Sequence, residues 1–572
     1  MNNFLIYRSS AGSGKTFTLV KEYLKLVLSN PECYRNILAV TFTNKSAEEM
    51  KTRIVSSLAK LSKGEAAGLH DLLKSEGVRA DIKINAEAVL KNILHNYSYF
   101  AVSTIDSFFH RVIRAFAKEL KLQLGYNIEL DQAEVLEKIT DKLLDEAGLN
   151  EELTRFIEEY IFYSIDDEKG WNIDQKIKSL GEEIFKERYW IRKGDSESLA
   201  DSREKLKNFI SKLFAIKNEF ESHMRDTAEK AIVITEEHSL TMDDFPYKKG
   251  GYINYLLNKI RFGDFEPGSR AREAAGDINK MCNKTSKPAV KAAAEAGLYA
   301  LLKDAVDYYD IHFVKYNTAA QLIKTVYVLG IFKDLLDKLK VYRDDNRLLL
   351  ISDINTILLK VITGDSSPFV YEKIGSYYRN FLIDEFQDTS TFQWKNFLPL
   401  LENSLSENNG SLIVGDVKQS IYRWRNGNMK LLLEDVKNDL AGFSQMIKEE
   451  SLASNYRSRK EIIDFNNLFF KRAAGIVSEG APESYRHLIS RSYSEAEQSS
   501  GTGSTGGGVC IDLFRNDEDT GRTARERSMA DVITKIKQVL AEGYSQSDIM
   551  ILVRGLADAS EAAHNLIDAG LR

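Results

Sequence analysis

A short loop near the start of the chain combines residue types that bind phosphate groups. It reads Gly12-Ser13-Gly14-Lys15-Thr16 and lies between an apolar run, residues 4–7, and apolar residues that mostly recur at helical spacing. Glycines let the backbone turn tightly, and successive N–H groups at a helix N-terminus attract anions. Lys15 is expected to reach the outer phosphates of a nucleotide, and Thr16 to place its hydroxyl on a magnesium ion.

The loop matches the pattern GxxxxGK[ST] only in part, because Ser9 stands where the first glycine is expected. A strand before the loop and a Lys-Thr pair within it nevertheless favour a nucleotide site over a simple helix cap. The residues predicted to hold the nucleotide are Ser9, Ser10, Ala11, Gly12, Ser13, Gly14, Lys15 and Thr16.

Two adjacent acids, Asp384 and Glu385, follow the apolar run 381–383. Ligands of parallel sheets bind at the carboxyl ends of strands, where this pair would lie. Asp384 is predicted to bind magnesium together with Thr16, and Glu385 to accept a proton from the attacking water as a general base. The sequence thus supplies the second part that a phosphate-loop enzyme needs.

A third segment, SLIVGDVKQSIYRWRNG, repeats the pattern of an apolar run followed by polar residues. The uncharged Gln419 can sense a γ-phosphate without competing for the metal. Tyr422 and Trp424 alternate with Arg423 and Arg425, a mixture that binds single-stranded nucleic acid by stacking on bases and holding phosphates. Core packing is the alternative interpretation of both aromatic residues.

The composition is that of a globular protein and limits the other site types. Hydrophobic residues make up 43% of the 572 and charged residues 28%, with a formal net charge of -6. The three cysteines, Cys33, Cys282 and Cys510, are too far apart to predict a disulfide framework or a metal cluster. Without a leader sequence or a run of eighteen apolar residues, we expect a cytoplasmic protein with no membrane partner.

The elements that must position these residues predict an α/β fold. Short apolar runs alternate with amphipathic helices over residues 1–118, long charged helices fill 119–345, and apolar runs return over 346–445. We therefore predict a parallel-sheet nucleotide-binding domain interrupted by a helical insertion. Residues 446–572 are predicted to begin a second α/β domain, with strands at 508–514 and 549–555 and helices after each.

Taken together, these motifs make the chain resemble the UvrD/Rep type of superfamily 1 DNA helicases, and within that type the RecB/AddA branch. SSAGSGKT is similar to the phosphate loop of that branch, whose members also lack the leading glycine. ILAVTFTNKSAEEMKTRI, VSTIDSFFHRVIRAFA, FLIDEFQDTS, VGDVKQSIYRWRNG and SLASNYRSRKEIIDFNN resemble five further family motifs in family order. The resemblance implies a RecA-like motor domain with a helical insertion and a partial second RecA-like domain.

The resemblance also implies residue roles. Lys15, Asp384, Glu385 and Gln419 would form the ATP and Mg²⁺ site, while Arg457 would touch the γ-phosphate from the second domain and Tyr456 would stack on adenine. The residues implied to contact DNA are Phe42, Asn44, Lys45, Thr104, Ser107, Tyr422, Trp424 and Arg425. It further implies 3′–5′ movement, duplex unwinding in repair or recombination, and an AddB/RecC-like partner subunit.

Two alternatives remain open at this point. Because the later family motifs, with a second arginine for the γ-phosphate, would lie beyond Arg572, the chain as written could bind nucleotide and DNA without turnover. A small-molecule phosphotransferase would also use a phosphate loop. That second alternative leaves Trp424 between two arginines and the NYRSR segment without a role.

Overall fold

The computed structural model describes residues 3–117, 127–129, 131–166, 173–191, 203–282, 287–363, 368–494, 496–516 and 523–571. The chain divides into two compact units, Met1–Leu452 and Ala453–Arg572. No helix among the described residues is long and apolar enough to cross a membrane.

A parallel sheet of six strands organises the first unit. The strands of this unit are β1 (Phe4–Ser9), β2 (Ile37–Thr41), β3 (Val102–Thr104), β4 (Asn127–Glu129), β5 (Leu348–Leu350), β6 (Asn380–Ile383), β7 (Ser411–Gly415) and β8 (Ile447–Leu452). The sheet has the order β3-β2-β6-β7-β1-β8, and β4 pairs with β5 in a separate two-stranded sheet. The predicted α/β fold with a parallel sheet is confirmed.

The six-stranded sheet is discontinuous in sequence. Its strands β1 to β3 precede the long helical segment, and β6 to β8 follow it. β8 pairs with β1 from Phe4↔Ile447 to Ser9↔Leu452, so residues 447–452 belong to this sheet although the predicted second domain starts at 446. The predicted boundary at 118 lies outside the described residues.

Both faces of the inner strands are buried, which explains why β2, β6 and β7 read as nearly continuous apolar runs, whereas the edge strand β8 is polar and partly exposed. In β6, Phe381 and Ile383 point into one core and Leu382 into the other, following the two-residue period of a strand. The helices that flank this sheet are Lys15–Ser29, Asn44–Lys63, Ala67–Ser75, Ile82–His95, Ile105–Ala115, Ile351–Thr363, Pro368–Tyr377, Thr391–Ser406 and Val436–Asp439.

Long helices with two apolar clusters of their own form the insertion. The helix Tyr299–Asn346 packs along the helix Arg203–Glu237, and apolar residues of both contribute to each cluster. The other α-helices among its described residues are Gln132–Leu144, Glu151–Asp166, Ile173–Gly181, Glu187–Ile191, Tyr252–Asn254, Ser269–Gly276 and Pro288–Ala293. The sequence prediction of helices over this region agrees with these elements.

The second unit contains four α-helices among its described residues: Lys460–Gly480, Glu483–Tyr493, Ala524–Ala541 and Leu556–Asp568. Its strands are two residues long, β9 (Ser454–Asn455) and β10 (Ser499–Ser500), and pair in parallel. The predicted strands at 508–514 and 549–555 are wrong for this structure, because neither segment is in a strand. Leu513 is 92% exposed and Leu552 86%, so neither segment has the partner strand and buried face that stabilise a strand.

Parallel pairing places the ends of β1, β2, β3, β6 and β7 at one edge of the main sheet. Each of these strand ends leads into one of the segments that carry the predicted site residues. The carboxyl edge of a parallel sheet is where its ligands bind. The topology therefore brings five distant sequence segments to a single surface.

Candidate nucleotide site and adjoining groove

The phosphate loop, residues 9–16, joins β1 to the helix Lys15–Ser29. Gly12 and Gly14 have φ angles of 77° and 83°, a left-handed conformation that glycine adopts without steric cost. The Ser13 N–H donates to a carbonyl oxygen three residues earlier over 3.2 Å, which closes the turn. The buried Ser13 hydroxyl has no hydrogen-bond partner among the described residues. This turn and helix N-terminus have the geometry of an anion site.

The serine at the first loop position has a structural use. The Ser9 hydroxyl donates to the Gly415 carbonyl oxygen over 2.8 Å and so ties the end of β1 to the end of β7. Ser10 is buried, Ala11 is exposed and Thr16 is half-buried in the first helical turn. Replacing the glycine of the general pattern by Ser9 thus adds a link between two strand ends that flank the loop.

The two acids predicted to bind the metal and to accept a proton from the water lie at the end of β6. The Asp384 N–H extends the sheet by donating to Val40 O over 2.8 Å, and Asp384 Oδ1 accepts the Glu385 N–H over 2.9 Å. Burial raises the pKa of the Asp384 carboxyl to about 7, and the charge of Glu385 adds to the rise. Glu385 has a φ of 49°, a left-handed conformation that is uncommon for a non-glycine residue and clusters at functional sites.

Three of the predicted catalytic side chains meet directly. Lys15 Nζ lies 3.1 Å from Glu385 Oε2 and 3.0 Å from Gln419 Oε1. The Gln419 amide also donates to Asp416 Oδ2 over 2.8 Å, and Lys418 Nζ lies 2.8 Å from Asp416 Oδ1. The lysine of the phosphate loop therefore contacts both the predicted general base and the predicted phosphate sensor.

Sequence reasoning assigned no role to three buried polar residues of this network. Gln387 Nε2 donates to Glu385 Oε2 over 2.7 Å, and Gln387 Oε1 accepts the Asp416 N–H over 2.9 Å. Burial raises the pKa of the Asp388 carboxyl to about 6, and the charge of Glu385 raises it further. The position of Gln387 and Asp388 one residue after the acid pair was the available signal, since buried polar groups are kept when they are hydrogen-bonded.

The predicted stacking residues form an aromatic cluster beside this network. The rings of Phe42 and Tyr422 have centroids 4.6 Å apart, and Tyr422 and Trp424 6.1 Å apart. The Arg425 guanidinium lies 4.6 Å from the Trp424 ring centroid. Trp424 is 64% exposed, so the core-packing interpretation is wrong for this residue. A flat, exposed ring beside a cation is suited to stacking on a base.

The other residues implied to contact DNA differ in accessibility. Asn44 and Lys45 are exposed in the first turn of the helix Asn44–Lys63, at a helix N-terminus that favours a phosphate group. Thr104 is buried, and its Oγ1 accepts the Ser107 N–H over 3.2 Å as the N-cap of the next helix. Ser107 itself is exposed. Thr104 therefore has a capping function here, whereas the other three present groups to solvent.

A groove of about 600 Å³ separates the aromatic cluster from the helical insertion. Phe42, Trp424 and Arg425 line it on the side of the sheet. On the insertion side, the Glu187 carboxylate accepts hydrogen bonds from the Ser390 hydroxyl and, over 3.1 Å, from the Phe392 N–H. The remaining lining residues are Asp106, Gln132, Ala133, Leu136, Glu182, Phe185, Lys186, Asn355, Gln393 and Asn426.

Glu187 gives this contact a predicted pH dependence. Burial raises the pKa of its carboxyl from 4.5 to about 7, with Asp106 adding to the rise and Lys395 opposing it. A carboxyl whose pKa is higher in the folded state destabilises the fold as pH rises, here between about 4.5 and 7. We expect Glu187→Gln to stabilise the protein at pH 8 by up to about 3 kcal/mol and to have little effect near pH 4.5, measured by thermal unfolding.

The matched control for this pH series is Glu134→Gln. Glu134 is on the same insertion, but it is an exposed residue paired with Lys138 one helical turn away. Exposed pairs of this kind contribute about 0.3 to 0.5 kcal/mol, so the control should follow the wild-type pH profile. An unchanged difference between Glu187→Gln and wild type from pH 4.5 to 8 would show that Glu187 does not titrate in this range.

Two predicted nucleotide contacts lie in the second unit. The Asn455 side-chain oxygen accepts the N–H groups of Arg457 and Ser458, both over 2.9 Å, which fixes the turn that carries Arg457. Tyr456 packs its ring against Gly501, where a Cβ atom would lie 2.5 Å from the ring. The Tyr456 ring is 60% exposed, and its role at adenine stays a prediction, as does that of Arg457.

Comparison with known proteins agrees with the resemblance inferred from the motifs. Residues 2–439 match the UvrD/REP helicase N-terminal domain. An ATP-dependent helicase/nuclease subunit of Staphylococcus aureus strain JH9 is 27% identical over 493 residues, which cover 82% of this chain and 38% of that protein. The protein of the same name from strain USA300 is 27% identical over 496 residues, with the same coverage. The chain thus spans about two fifths of the length of these relatives.

Proposed function

The chain belongs to the UvrD/REP helicase family, and on this premise we propose that it is an ATP-driven motor on single-stranded DNA. The contact of Lys15 with both Glu385 and Gln419 carries the proposal, because it joins three predicted catalytic groups from three strand ends. The same proposal includes movement from 3′ to 5′, duplex unwinding in repair or recombination, a cytoplasmic location and an AddB/RecC-like partner subunit.

The domain assignment is also a proposal. Residues 1–118 and 346–445, together with strand β8 of the same sheet, would form the first RecA-like motor domain, 119–345 its helical insertion, and the rest of 446–572 the start of a second motor domain. Arg457 would then approach the γ-phosphate from that second domain and Tyr456 would stack on adenine.

The residues at the sheet edge fit ATP with magnesium. The turn with two left-handed glycines, and a buried Ser13 hydroxyl that has no partner in the described part of the chain, suits phosphate oxygens. Thr16 and Asp384 would hold magnesium, which polarises the phosphates and offsets their negative charge when bound. The described residues contain no cluster of three or more metal-binding side chains, but magnesium keeps several waters and phosphate oxygens as ligands and needs few protein groups.

The other steps of the proposed reaction would be carried out by side chains of the protein. Lys15 would hold the outer phosphates, and Glu385 would accept the proton of the attacking water. Gln419 would contact the γ-phosphate and sense its presence. The rings of Tyr422 and Trp424, with Phe42 and Arg425, would stack on bases. Asn44, Lys45, Thr104 and Ser107 would line the path of the single-stranded DNA.

We expect ATP hydrolysis by the chain to rise several-fold when single-stranded oligothymidylate is added with magnesium. The affinity for the strand should fall with salt, with a log–log slope of about −0.7 per neutralised phosphate. Heparin is the control, because it supplies polyanionic charge without bases. An ATPase rate that is the same with and without the strand would contradict the motor, and strand binding without any hydrolysis would favour the fragment without turnover.

A further inference from the structure

One buried amide connects the predicted general base to the loop that carries the stacking residues. Gln387 is 1% exposed, so its polar atoms need hydrogen-bond partners inside the fold. Its Nε2 donates to Glu385 Oε2 over 2.7 Å, and its Oε1 accepts the Asp416 N–H over 2.9 Å. The amide therefore spans from the end of β6 to the first residue after β7.

On the nucleotide side, a single carboxylate oxygen has two donors. Glu385 Oε2 accepts from Gln387 over 2.7 Å and from the Lys15 ammonium over 3.1 Å. A triphosphate in the phosphate loop offers Lys15 a more highly charged partner than Glu385 does. When Lys15 turns to the phosphates, Gln387 becomes the principal donor to this oxygen, so nucleotide binding changes the hydrogen bond at one end of the Gln387 amide.

On the other side, residues 387–389 hold the strand-contacting loop, which we define as residues 416–428. The Gln387 carbonyl oxygen accepts the Ser420 hydroxyl over 3.2 Å, and the Thr389 carbonyl oxygen accepts the Asn428 N–H over 3.0 Å. The N–H groups of Ile421 and Tyr422 favour the charged form of the Asp388 carboxyl. The loop is thus held near its beginning, middle and end by residues 387–389, which lie one residue beyond the acid pair.

Gln387 packs so closely against the end of β7 that a shift of its side chain would move the neighbouring backbone. A Cβ atom added at Gly415 would lie 2.7 Å from Gln387 Oε1 and 3.1 Å from its backbone nitrogen. The two strand ends therefore approach each other with no free space between them at this point. Since interiors are packed as densely as crystals, a movement of the amide must displace Gly415 and Asp416.

We infer that Gln387 is a positioning residue that couples occupation of the phosphate loop by a nucleoside triphosphate to the affinity of the strand-contacting loop for DNA. The inference rests on the proposed function and adds to it the side chain through which the two sites communicate. Because it is only 1% exposed, Gln387 is not expected to contact either ligand. Its removal should therefore leave each ligand bound and abolish the effect of one on the other.

The test measures the dissociation constant of a labelled oligothymidylate by fluorescence anisotropy, with and without magnesium and a non-hydrolysable ATP analogue. We expect the analogue to change the wild-type dissociation constant about 5-fold or more, the lower end of typical coupling between two sites. In Gln387→Met the change should fall below about twofold, while each ligand alone binds within about threefold of wild type. Because coupling is reciprocal, titrating the analogue with and without the strand must give the same factor.

Two further variants keep the result interpretable. Gln387→Glu retains the size of the side chain and an acceptor for Asp416 but, as a carboxylate, cannot donate to Glu385, so at a pH high enough to ionise both carboxyls it should lose the coupling as well. Asn396→Leu is the matched control: Asn396 is a fully buried amide that donates to Asn355 O over 3.1 Å and lies outside this network. It should keep the wild-type factor.

The outcomes separate the inference from the proposed function. A wild-type protein that binds neither ligand contradicts the proposed function and the inference with it. A wild type that binds both ligands without coupling overturns the inference alone. Coupling that persists in Gln387→Met and Gln387→Glu does the same, because the communication then passes through other residues.

Discussion

Replacing Glu385 with glutamine should reduce the rate of DNA-stimulated ATP hydrolysis by about 10²- to 10⁴-fold, the usual contribution of a general base. Glutamine keeps the size of the side chain and can still accept a hydrogen bond from Lys15 or Gln387, the two donors at Glu385 Oε2. We therefore expect the affinity for the magnesium–ATP complex to stay within about threefold of wild type, since replacing a charged hydrogen-bond acceptor with a neutral one is a modest change. A phosphate-release assay and a nucleotide titration measure the two quantities.

Glu402→Gln is the control for this substitution. Glu402 is a carboxyl in the helix Thr391–Ser406 whose pKa is also raised by burial, but it has no contact with the phosphate loop. Its replacement should leave the hydrolysis rate within about twofold of wild type, because it alters no group near the nucleotide. If Glu385→Gln retained more than a tenth of the wild-type rate, another group would have to accept the proton.

Replacing Trp424 with alanine should weaken single-strand binding by about 1 to 3 kcal/mol, or roughly 5- to 150-fold in the dissociation constant, the value of one stacked base. The ring is 64% exposed and borders the groove, so its removal takes away a stacking surface without opening the core. The salt dependence of binding should keep its slope, because the substitution removes no cation. Anisotropy titrations at three salt concentrations measure both.

Tyr97→Ala is the matched control for the tryptophan. Tyr97 is also an exposed ring beside a cation, Lys51, but it lines no part of the groove. Its loss should change the dissociation constant by less than twofold. Arg425→Ala should differ from both by lowering the slope of the salt dependence by about 0.7, because it removes one phosphate contact. Equal weakening by Trp424→Ala and Tyr97→Ala would show that the groove is not the path of the strand.

The side chains that meet at the candidate nucleotide site of the first unit could be identified from the sequence because their signals are local. The phosphate loop, the acid pair and Gln419 each follow an apolar run by a few positions, and the structure places Lys15, Glu385 and Gln419 within hydrogen-bond distance. The order of apolar runs and amphipathic helices likewise predicted the parallel sheet. Backbone conformation and burial period depend mainly on neighbouring residues, which the sequence states directly.

Other features depend on partners that local patterns do not identify. Residues 508–514 and 549–555 have the composition of strands, yet they form none, because a strand also needs a neighbour to complete its hydrogen bonds. Glu187 is an ordinary acid in a charged stretch, and only the packing of the insertion against the sheet places it at Ser390 and Phe392. Its raised pKa has no signal in the sequence.

By itself, the sequence determined the available chemistry. It shows which groups can bind phosphate, which carboxylates can bind a metal or accept a proton from water, and which rings can stack on bases. The tertiary structure decided which of these groups share partners. Lys15 and Gln387 are 372 positions apart, yet both donate to the same oxygen of Glu385. That contact follows from the pairing order of parallel strands, which brings the ends of β1, β6 and β7 together, and such pairing is set by long-range packing rather than by neighbouring residues.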